Sequence, residues 1–318
     1  MVPLRPEWSA PSTILFATEC PANETSFTFA LARAKESRAD LLLLHICDEP
    51  AWASAHSAGE RGIYRHLEHL EPLIQRAREL GIDCRAEVRT GITVDEILRF
   101  SREKKVDCII LGAHTAGPAG RLLVGSVAET ILREAEVPVT IVNSFLQGNA
   151  CCDFFTRTIL CALNPHRSSE AVARFGAEIA ERHGAHLVLQ LVITPQDYED
   201  NFAGRTLDEM ENELAELIPA SQREKLKIEG MAVLGDPAEE LLYQARVLRA
   251  NLIVMGARDA THFAALSNSG IVYKVLAYAP CPVVTLSPVA LAACEPPRYG
   301  PVSETNWASD NYVLPGVI

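Results

Sequence analysis

The chain carries one sequence unit twice. The segment "STILFATECPANETSFTFALARAKESRADLLLLHI" begins at Ser12, and the similar segment "RTILCALNPHRSSEAVARFGAEIAERHGAHLVLQLV" begins at Arg157. Further on, "VDCIILGA" with Gly112 matches "ANLIVMGA" with Gly256, and "VPVTIV" matches "CPVVTL", both at an offset of 144 residues. Two units of near-equal length within 318 residues predict two domains with the same fold.

Within each unit, short apolar runs alternate with stretches of helical periodicity. This order predicts an α/β protein of two tandem Rossmann-like domains, each a parallel five-stranded sheet with helices on both faces, because parallel neighbours need crossover connections. We assign residues 12–143 to the first domain, 144–155 to a linker, 156–287 to the second domain and 288–318 to an irregular C-terminal tail.

Charge and composition limit the partners and the compartment. A formal net charge of -12 opposes binding to nucleic acid or to an anionic membrane surface. The N-terminus lacks the pattern of a secretory signal, and no apolar run approaches the roughly 20 residues that cross a bilayer. The nine cysteines are scattered, and several lie in apolar strand-like runs, which favours reduced thiols. We therefore expect a cytoplasmic protein.

The glycine-rich segment "GAHTAGPAGRLLVGS" runs from Gly112 to Ser126, between a predicted buried strand and a predicted helix. Backbone N–H groups and the helix dipole converge on an anion at such a place, which favours phosphate binding. A second interpretation needs no ligand. Ser126 followed by Glu129 is the pattern of a capping box, which satisfies the first helical turn by itself.

Both repeats resemble universal stress protein domains, from about residue 12 to residue 287, of the adenine nucleotide alpha hydrolase-like type. Nucleotide-binding members of that family carry a glycine, two residues, a second glycine, nine residues, and then glycine followed by serine or threonine. Gly112, Gly125 and Ser126 fit this pattern, whereas Thr115 stands where the second glycine belongs. The resemblance implies that the first repeat binds ATP or another adenine nucleotide, with Mg²⁺ accompanying it.

The same resemblance implies the residues that contact the nucleotide. An acidic residue at the end of the first strand meets the ribose, which here is Glu19. Leu41 and Leu111 line the adenine, and the others lie along the phosphates. The implied set is Glu19, Leu41, Leu111, Gly112, His114, Thr115, Gly125, Ser126, Val127 and Ala128.

The second repeat departs further from the pattern. Asp259 replaces the second glycine, Ser269 and Gly270 reverse the order of glycine and serine, and Asn164 replaces the acidic residue. A carboxylate facing a triphosphate lowers affinity by charge repulsion. We therefore expect no ATP in the second repeat.

Other candidate sites are weaker. His66 and His69 have helical i, i+3 spacing and would share a metal with Glu68 or Glu71, but no third ligand of clear spacing follows, so a solvated helix face is favoured. His45 is expected at a strand end, hydrogen-bonded to backbone. The sequence contains neither a nucleophile elbow nor a Walker-type lysine. We therefore assign no catalytic residue and no metal site.

The favoured function is a stress-response protein that acts as a nucleotide-responsive sensor or adaptor, with ATP hydrolysis slow at most. The alternatives are a weak ATPase or nucleotidyl-transferring enzyme, and a nucleotide-free protein-binding adaptor. In the family that the repeats resemble, the last strand forms the dimer edge. The resemblance therefore implies that the last strands of the two repeats pair within the chain, as an internal pseudo-dimer that covers both edges. Beyond that, we expect a monomer or a homodimer of tandem chains, with the dimer favoured.

Overall fold

The computed structural model describes residues 10–47, 57–115, 122–123, 125–143, 156–164, 168–257 and 270–294. The linker predicted at residues 144–155 lies outside them. The first repeat contains β1 (Thr13–Ala17), α1 (Glu24–Ser37), β2 (Asp40–Cys47), α2 (Ser57–Glu79), β3 (Cys84–Thr90), α3 (Thr93–Lys104), β4 (Cys108–Thr115), β5 (Leu122–Leu123), α4 (Ser126–Glu134) and β6 (Val139–Asn143).

The second repeat follows the same plan with additional short helices. It contains β7 (Thr158–Leu163), α5 (Ser168–His183), β8 (His186–Ile193), α6 (Pro195–Asn201), α7 (Leu207–Glu216), α8 (Ala220–Arg223), β9 (Ile228–Leu234), α9 (Pro237–Val247), β10 (Leu252–Gly256), α10 (Ile271–Tyr278) and β11 (Val283–Leu286). The last helix among the described residues, α11 (Pro288–Cys294), follows it.

Each repeat forms a parallel sheet of five strands, in the order β3, β2, β1, β4, β6 in the first and β9, β8, β7, β10, β11 in the second. This confirms the predicted fold class. The chain moves outward from β1 to β3 and then crosses back to β4, so the strand order reverses between β1 and β4. The core residues of β1, Ile14, Leu15 and Phe16, are fully buried, as in sheets covered on both faces.

The two sheets join through their last strands, as the sequence predicts. Strand β6 pairs antiparallel with β11, and Thr140 lies opposite Val284. Two buried side chains cross the junction: Asn143 Nδ2 donates to the Ala279 carbonyl at 3.2 Å, and Thr285 Oγ1 donates to the Val139 carbonyl at 3.1 Å. The ten long strands therefore form one continuous sheet, in which each repeat covers the last strand of the other.

The start of the predicted irregular tail is helical, and the expectation was wrong for these residues. Ser287 Oγ accepts a hydrogen bond of 2.9 Å from the Ala290 N–H, and Pro288 begins α11, where its missing N–H has no cost. Leu291 is fully buried. The serine and proline are a helix-start signal that the aperiodic sequence around them concealed. Residues 295–318 lie outside the described residues.

None of the helices in the described ranges is both long enough and apolar enough to cross a membrane.

Candidate functional site

Three strands of the first repeat end together at one edge of the sheet. Ala17 of β1 lies opposite Leu44 of β2 and opposite Leu111 of β4. Beyond Ala17, the Thr18 N–H donates to the Leu44 carbonyl at 2.9 Å, so the pairing continues into the loop. We call this the carboxyl edge. Because it includes the reversal of strand order between β1 and β4, it is where open parallel sheets bind ligands.

Gly112 lies at this edge, and its lack of a side chain has a packing cause. A Cβ on Gly112 would lie 2.7 Å from Ser26 Oγ and 3.5 Å from the Cβ of Asn23. Both residues belong to the start of α1, where the Asn23 side chain caps the helix by accepting from the Ser26 N–H at 3.0 Å. A side chain at position 112 would therefore collide with α1 unless Ser26 moved, whether or not a nucleotide binds.

His114 and Thr115 extend β4 beyond the sheet and pair with the short strand β5. His114 lies opposite Leu123, and Thr115 lies opposite Leu122, in an antiparallel arrangement. Thr115 stands where the family pattern has its second glycine. In the structure its backbone is a strand, a conformation that suits a β-branched residue. Residues 116–121 and 124 lie outside the described residues.

Gly125 is the N-cap of α4, and Ser126 is the first residue inside the helix. The capping box expected at Ser126 and Glu129 is therefore wrong, because Ser126 stands one position too late. The Glu129 N–H instead donates to the Gly125 carbonyl at 3.0 Å, as an ordinary helical bond. A glycine offers no side-chain oxygen, so the N-cap residue leaves the first N–H groups of α4 without a side-chain cap.

Among the described residues, the side of Gly125 where a side chain would project is open. Apart from its chain neighbours, no described residue has an atom within 4 Å of a Cβ placed there, and the backbone angles, φ -68° and ψ 160°, suit any residue. Ser126 is exposed, while Val127 and Ala128 are half-buried and pack on the core. The groups of Val127 and Ala128 that remain to meet an anion at the start of α4 are therefore their backbone N–H groups, and not their side chains.

Glu19 and Leu111 lie at the same edge, but Leu41 does not. Glu19 is exposed, two residues beyond β1, and Leu111 is buried near the end of β4. Leu41 is fully buried at the start of β2, opposite Ile14. It lies at the amino edge of the sheet, so the expectation that it lines an adenine pocket is corrected. The apolar residue of β2 that lies near the carboxyl edge and is half-buried is Ile46.

A cluster of metal-ligating side chains lies at the same edge, and sequence reasoning missed it. His45 Nδ1 lies 2.9 Å from the Thr18 carbonyl oxygen, which confirms the expected backbone hydrogen bond. The His45 and His66 rings are 4.6 Å apart between centroids. Candidate ligand atoms of Cys20, His45 and His66 all lie within 4.8 Å of one another. Because the three residues come from separate segments, no local spacing reveals the cluster.

Burial makes Cys20 a weak acid. The burial of its side chain, with Cys47 as a further contribution, raises the pKa of the Cys20 thiol to about 11. Cys20 is therefore a neutral thiol at physiological pH unless a cation lies beside it. His69, one helical turn beyond His66, is exposed and lies outside this group.

The corresponding edge of the second repeat differs in composition and covering. Gly270 is the N-cap of α10, so it is the counterpart of Gly125, and Ile271 stands where Ser126 does. The loop between the strand and this helix is one residue longer than in the first repeat. Ser269 is therefore a loop residue before the cap glycine, and not the counterpart of Ser126 in reversed order as the sequence suggests. Asp259 and Ser269 themselves lie outside the described residues.

Two further contacts close this edge in the second repeat. A Cβ on Gly256, at the end of β10, would lie 3.3 Å from Leu291 of α11, so α11 packs over this strand end. Asn164 is held in a local turn: Ser169 Oγ donates to its side-chain oxygen at 3.0 Å, and the Asn164 N–H donates to Ser169 Oγ at 2.9 Å.

Comparison with known proteins agrees with this architecture. The sequence model of the universal stress protein family matches residues 11–143 and again residues 156–287. The chain belongs to the universal stress protein family. A universal stress protein of Methanocaldococcus jannaschii is 31% identical over 122 residues, which are 36% of this chain and 71% of that protein. One from Mycolicibacterium smegmatis is 26% identical over 239 residues, 70% of this chain and 78% of the relative.

Solved structures of this family show the same tandem fold. A universal stress protein from Archaeoglobus fulgidus superposes with a TM-score of 0.65 at 19% identity, covering 87% of this chain and 98% of the other. One from Pseudomonas aeruginosa gives a TM-score of 0.63 at 19% identity, with 90% and 96% covered. At this identity the likeness describes the fold of this universal stress protein and not its ligand.

Proposed function

We propose that this universal stress protein binds one adenine nucleotide, ATP or a related molecule, at the carboxyl edge of its first repeat. The observation that carries the proposal is the uncapped start of α4 at the same sheet edge as the exposed Glu19 carboxylate, a pair that the second repeat lacks because Asn164 replaces the acidic residue. Gly125 leaves the first N–H groups of the helix without a side-chain cap, and no described atom fills the space where a side chain would project. Such a helix end is an anion site, because N–H groups and the helix dipole both favour negative charge.

The other residues of the edge supply the remaining contacts. The exposed Glu19 carboxylate would accept hydrogen bonds from the ribose hydroxyls, and such charge-assisted bonds contribute about 1.5–3 kcal/mol. Ile46 and Leu111 border the edge with apolar side chains for the base. Gly112 keeps α1 close to β4. Mg²⁺ would enter with the phosphates that it neutralises.

The second repeat is proposed not to bind a nucleotide, and the structure supports this beyond the sequence departures. Leu291 of α11 packs against Gly256, the counterpart of Gly112. Ile271 places a β-branched side chain at the first position of α10. We propose that the second repeat instead completes the sheet, through the pairing of β11 with β6.

Occupancy of one site would make the protein a sensor or adaptor in the stress response. A ligand that binds only the native state stabilises it by RT ln(1 + [L]/Kd), about 2.7 kcal/mol at a concentration of 100 Kd. The folded population and its surface would then follow the nucleotide level. Hydrolysis, if measured as phosphate release, is expected to be slow at most.

Isothermal titration calorimetry on the full chain tests the proposal, with ATP and adenosine compared in the presence and absence of Mg²⁺. We expect close to one ATP per chain and much weaker binding of adenosine, because adenosine lacks the groups that meet α4. Gly125→Trp should abolish ATP binding, since its side chain would enter the approach to the first N–H groups.

Gly270→Trp is the matched control. Gly270 is also the N-cap of its helix, and no described atom lies within 4 Å of a Cβ placed there. This variant should bind ATP like the wild type, and both variants should unfold at similar temperatures. Two equivalent ATP sites, or equal effects of the two substitutions, would show that the nucleotide is misplaced. Failure to bind any adenine nucleotide would favour the nucleotide-free adaptor.

A further inference from the structure

We infer that Cys20, His45 and His66 form a binding site for a zinc-like divalent cation, with the fourth ligand position left to water. Their ligand atoms lie within 4.8 Å of one another, and the three residues converge from the loop after β1, from β2 and from α2. The inference does not rest on the proposed nucleotide: Cys20 and His45 are chain neighbours of Glu19 and Ile46, but none of the three ligands is assigned a nucleotide contact.

The hydrogen bond of His45 sets this residue up as a ligand. Nδ1 lies 2.9 Å from the Thr18 carbonyl oxygen, which can only accept, so Nδ1 carries the proton and donates it. The proton is then absent from Nε2, whose lone pair is available to a cation. Histidines that bind metals usually donate their second ring N–H to a carbonyl or carboxylate in this way. His45 is 8% exposed, so this tautomer is held inside the protein.

The distances suit a transition metal after a small closure. Zinc bonds of about 2.0 Å to nitrogen and 2.3 Å to sulfur place tetrahedral ligand atoms roughly 3.3–3.5 Å apart. The group as it stands is at most about 1.5 Å wider than this. The centroids of the His45 and His66 rings are 4.6 Å apart and their planes are tilted by 32°, so the His66 ring must turn to aim its in-plane lone pair at a cation beside His45. Rotation of the Cys20 and His66 side chains, both half-buried, would close the group.

The ligand types select the cation. One thiolate and two imidazoles are ligands for zinc and its neighbours in the first transition row, whereas Mg²⁺ and Ca²⁺ prefer oxygen. Three protein ligands leave a fourth position to water, which is the arrangement of an open site rather than a closed structural one. When the cation binds, the sulfur–hydrogen bond of Cys20 breaks, a sulfur–metal bond forms and the proton passes to water.

Titration of the reduced full-length protein with Co²⁺, without nucleotide, tests the site. Cobalt substitutes for zinc and reports a thiolate ligand by a charge-transfer absorption. We expect one equivalent of Co²⁺ per chain, displaced by Zn²⁺. Cys20→Ser should remove the charge-transfer band. His66→Gln should weaken binding by more than about tenfold, the lower end of what the loss of even an outer-shell partner costs.

Three variants serve as controls. His69→Gln alters an exposed histidine on the same helix, one turn away, and should leave binding unchanged. Cys151→Ser with Cys152→Ser removes the adjacent thiol pair of the predicted linker and should also leave it unchanged. Gly125→Trp should bind Co²⁺ like the wild type, which separates this site from the proposed nucleotide site.

The outcomes are decisive even if one variant folds poorly. Zn²⁺ should raise the unfolding temperature of the wild type and of His69→Gln, but not that of His66→Gln, whose half-exposed position tolerates the change. A charge-transfer band that persists in Cys20→Ser, equal losses in His66→Gln and His69→Gln, or the absence of Co²⁺ binding would each overturn the inference.

Discussion

His183 Nδ1 lies 2.8 Å from the Glu36 Oε1 atom, and the two residues belong to different repeats. Glu36 is near the end of α1, and His183 is the last residue of α5. Arg33 completes the contact: its Nη1 atom is 2.8 Å from the Glu36 carboxylate and 3.4 Å from His183 Nε2. Because the Glu36 carboxylate can only accept, His183 donates its Nδ1 proton to it. The repeats are thus joined by helices as well as by β6 and β11.

The first prediction concerns this contact. Burial acts to raise the pKa of Glu36, but the hydrogen bond from His183 and the charge of Arg33 outweigh it, so the pKa lies below its ordinary value. A carboxyl group with a lowered pKa contributes stability above its unfolded value, about 4.3, and this is lost as the pH falls through the folded value. Glu36→Gln should therefore cost about 1–2 kcal/mol at pH 7, and the difference should shrink below about pH 4.

Urea denaturation of wild type and variant across that pH range measures the effect. Glu170→Gln is the control, because Glu170 pairs with Arg174 within a single helix, and such exposed pairs contribute about 0.3–0.5 kcal/mol. A Glu36→Gln difference that grows towards low pH would contradict the assignment.

The second prediction follows from the corrected helix start. Since Ser126 is inside α4 and not its cap, Ser126→Ala should change the free energy of unfolding by no more than about 0.5 kcal/mol. Asp236 is a true N-cap, whose side chain accepts from the N–H groups of Ala238 and Glu239 at 3.0 Å. Asp236→Ala should cost about 1 kcal/mol at pH 7.

Chemical denaturation of both variants checks this pair. The hydrogen bond from the Glu239 N–H is the main cause that lowers the pKa of Asp236, so the cost of Asp236→Ala should persist down to about pH 4 and then decline. If Ser126→Ala lowered the free energy of unfolding as much as Asp236→Ala does, the capping box that the sequence suggests at Ser126 and Glu129 would be supported.

The elements that the sequence predicts correctly are mostly those that local periodicity reveals. The repeat and the parallel sheets follow from apolar runs and their order, whereas the pairing of β6 with β11 follows from the family resemblance. Leu41 was misplaced because its role depends on strand direction: a residue at the start of β2 lies at the opposite edge from one at its end. The position of the α4 cap differed by one residue, which no periodicity resolves.

Contacts between segments that are distant in the chain could not be predicted from the sequence. The group of Cys20, His45 and His66 is assembled by α2 packing beside β2, so the histidine pair visible in the sequence, His66 with His69, was the wrong pair to consider. The covering of Gly256 by Leu291 depends on α11, in a segment without clear periodicity.

The third prediction separates packing from ligand binding at Gly112. Gly112→Ala places a Cβ 2.7 Å from Ser26 Oγ, and overpacking of this kind costs about 1–3 kcal/mol without any nucleotide present. Ser26→Ala removes that oxygen, so the double variant should recover part of the loss, with a coupling of at least about 0.5 kcal/mol. A double-mutant cycle by urea denaturation measures it. If the effects of the two substitutions on the free energy of unfolding were additive, the Ser26 side chain would rotate away from the added Cβ without cost.

The last prediction concerns the helix that covers the second repeat. Leu291 is fully buried against Gly256, so Leu291→Ala should destabilise the protein by about 2–5 kcal/mol through lost burial and a cavity. Val289, on the same helix, is 46% exposed, and Val289→Ala should change stability by no more than about 0.5 kcal/mol. Thermal and urea unfolding compare the two.

Leu291→Ala should nevertheless leave the stoichiometry at one ATP per chain. Removing the leucine opens the strand end beside Gly256, but Ile271 remains at the first position of α10 and Asn164 remains in its turn with Ser169. Neither offers the exposed hydroxyl of Ser126 or the exposed carboxylate of Glu19, which belong to the proposed site of the first repeat. If calorimetry found a second ATP bound to Leu291→Ala, then α11 alone would be what blocks the second repeat, and the residues at its edge would be competent to bind.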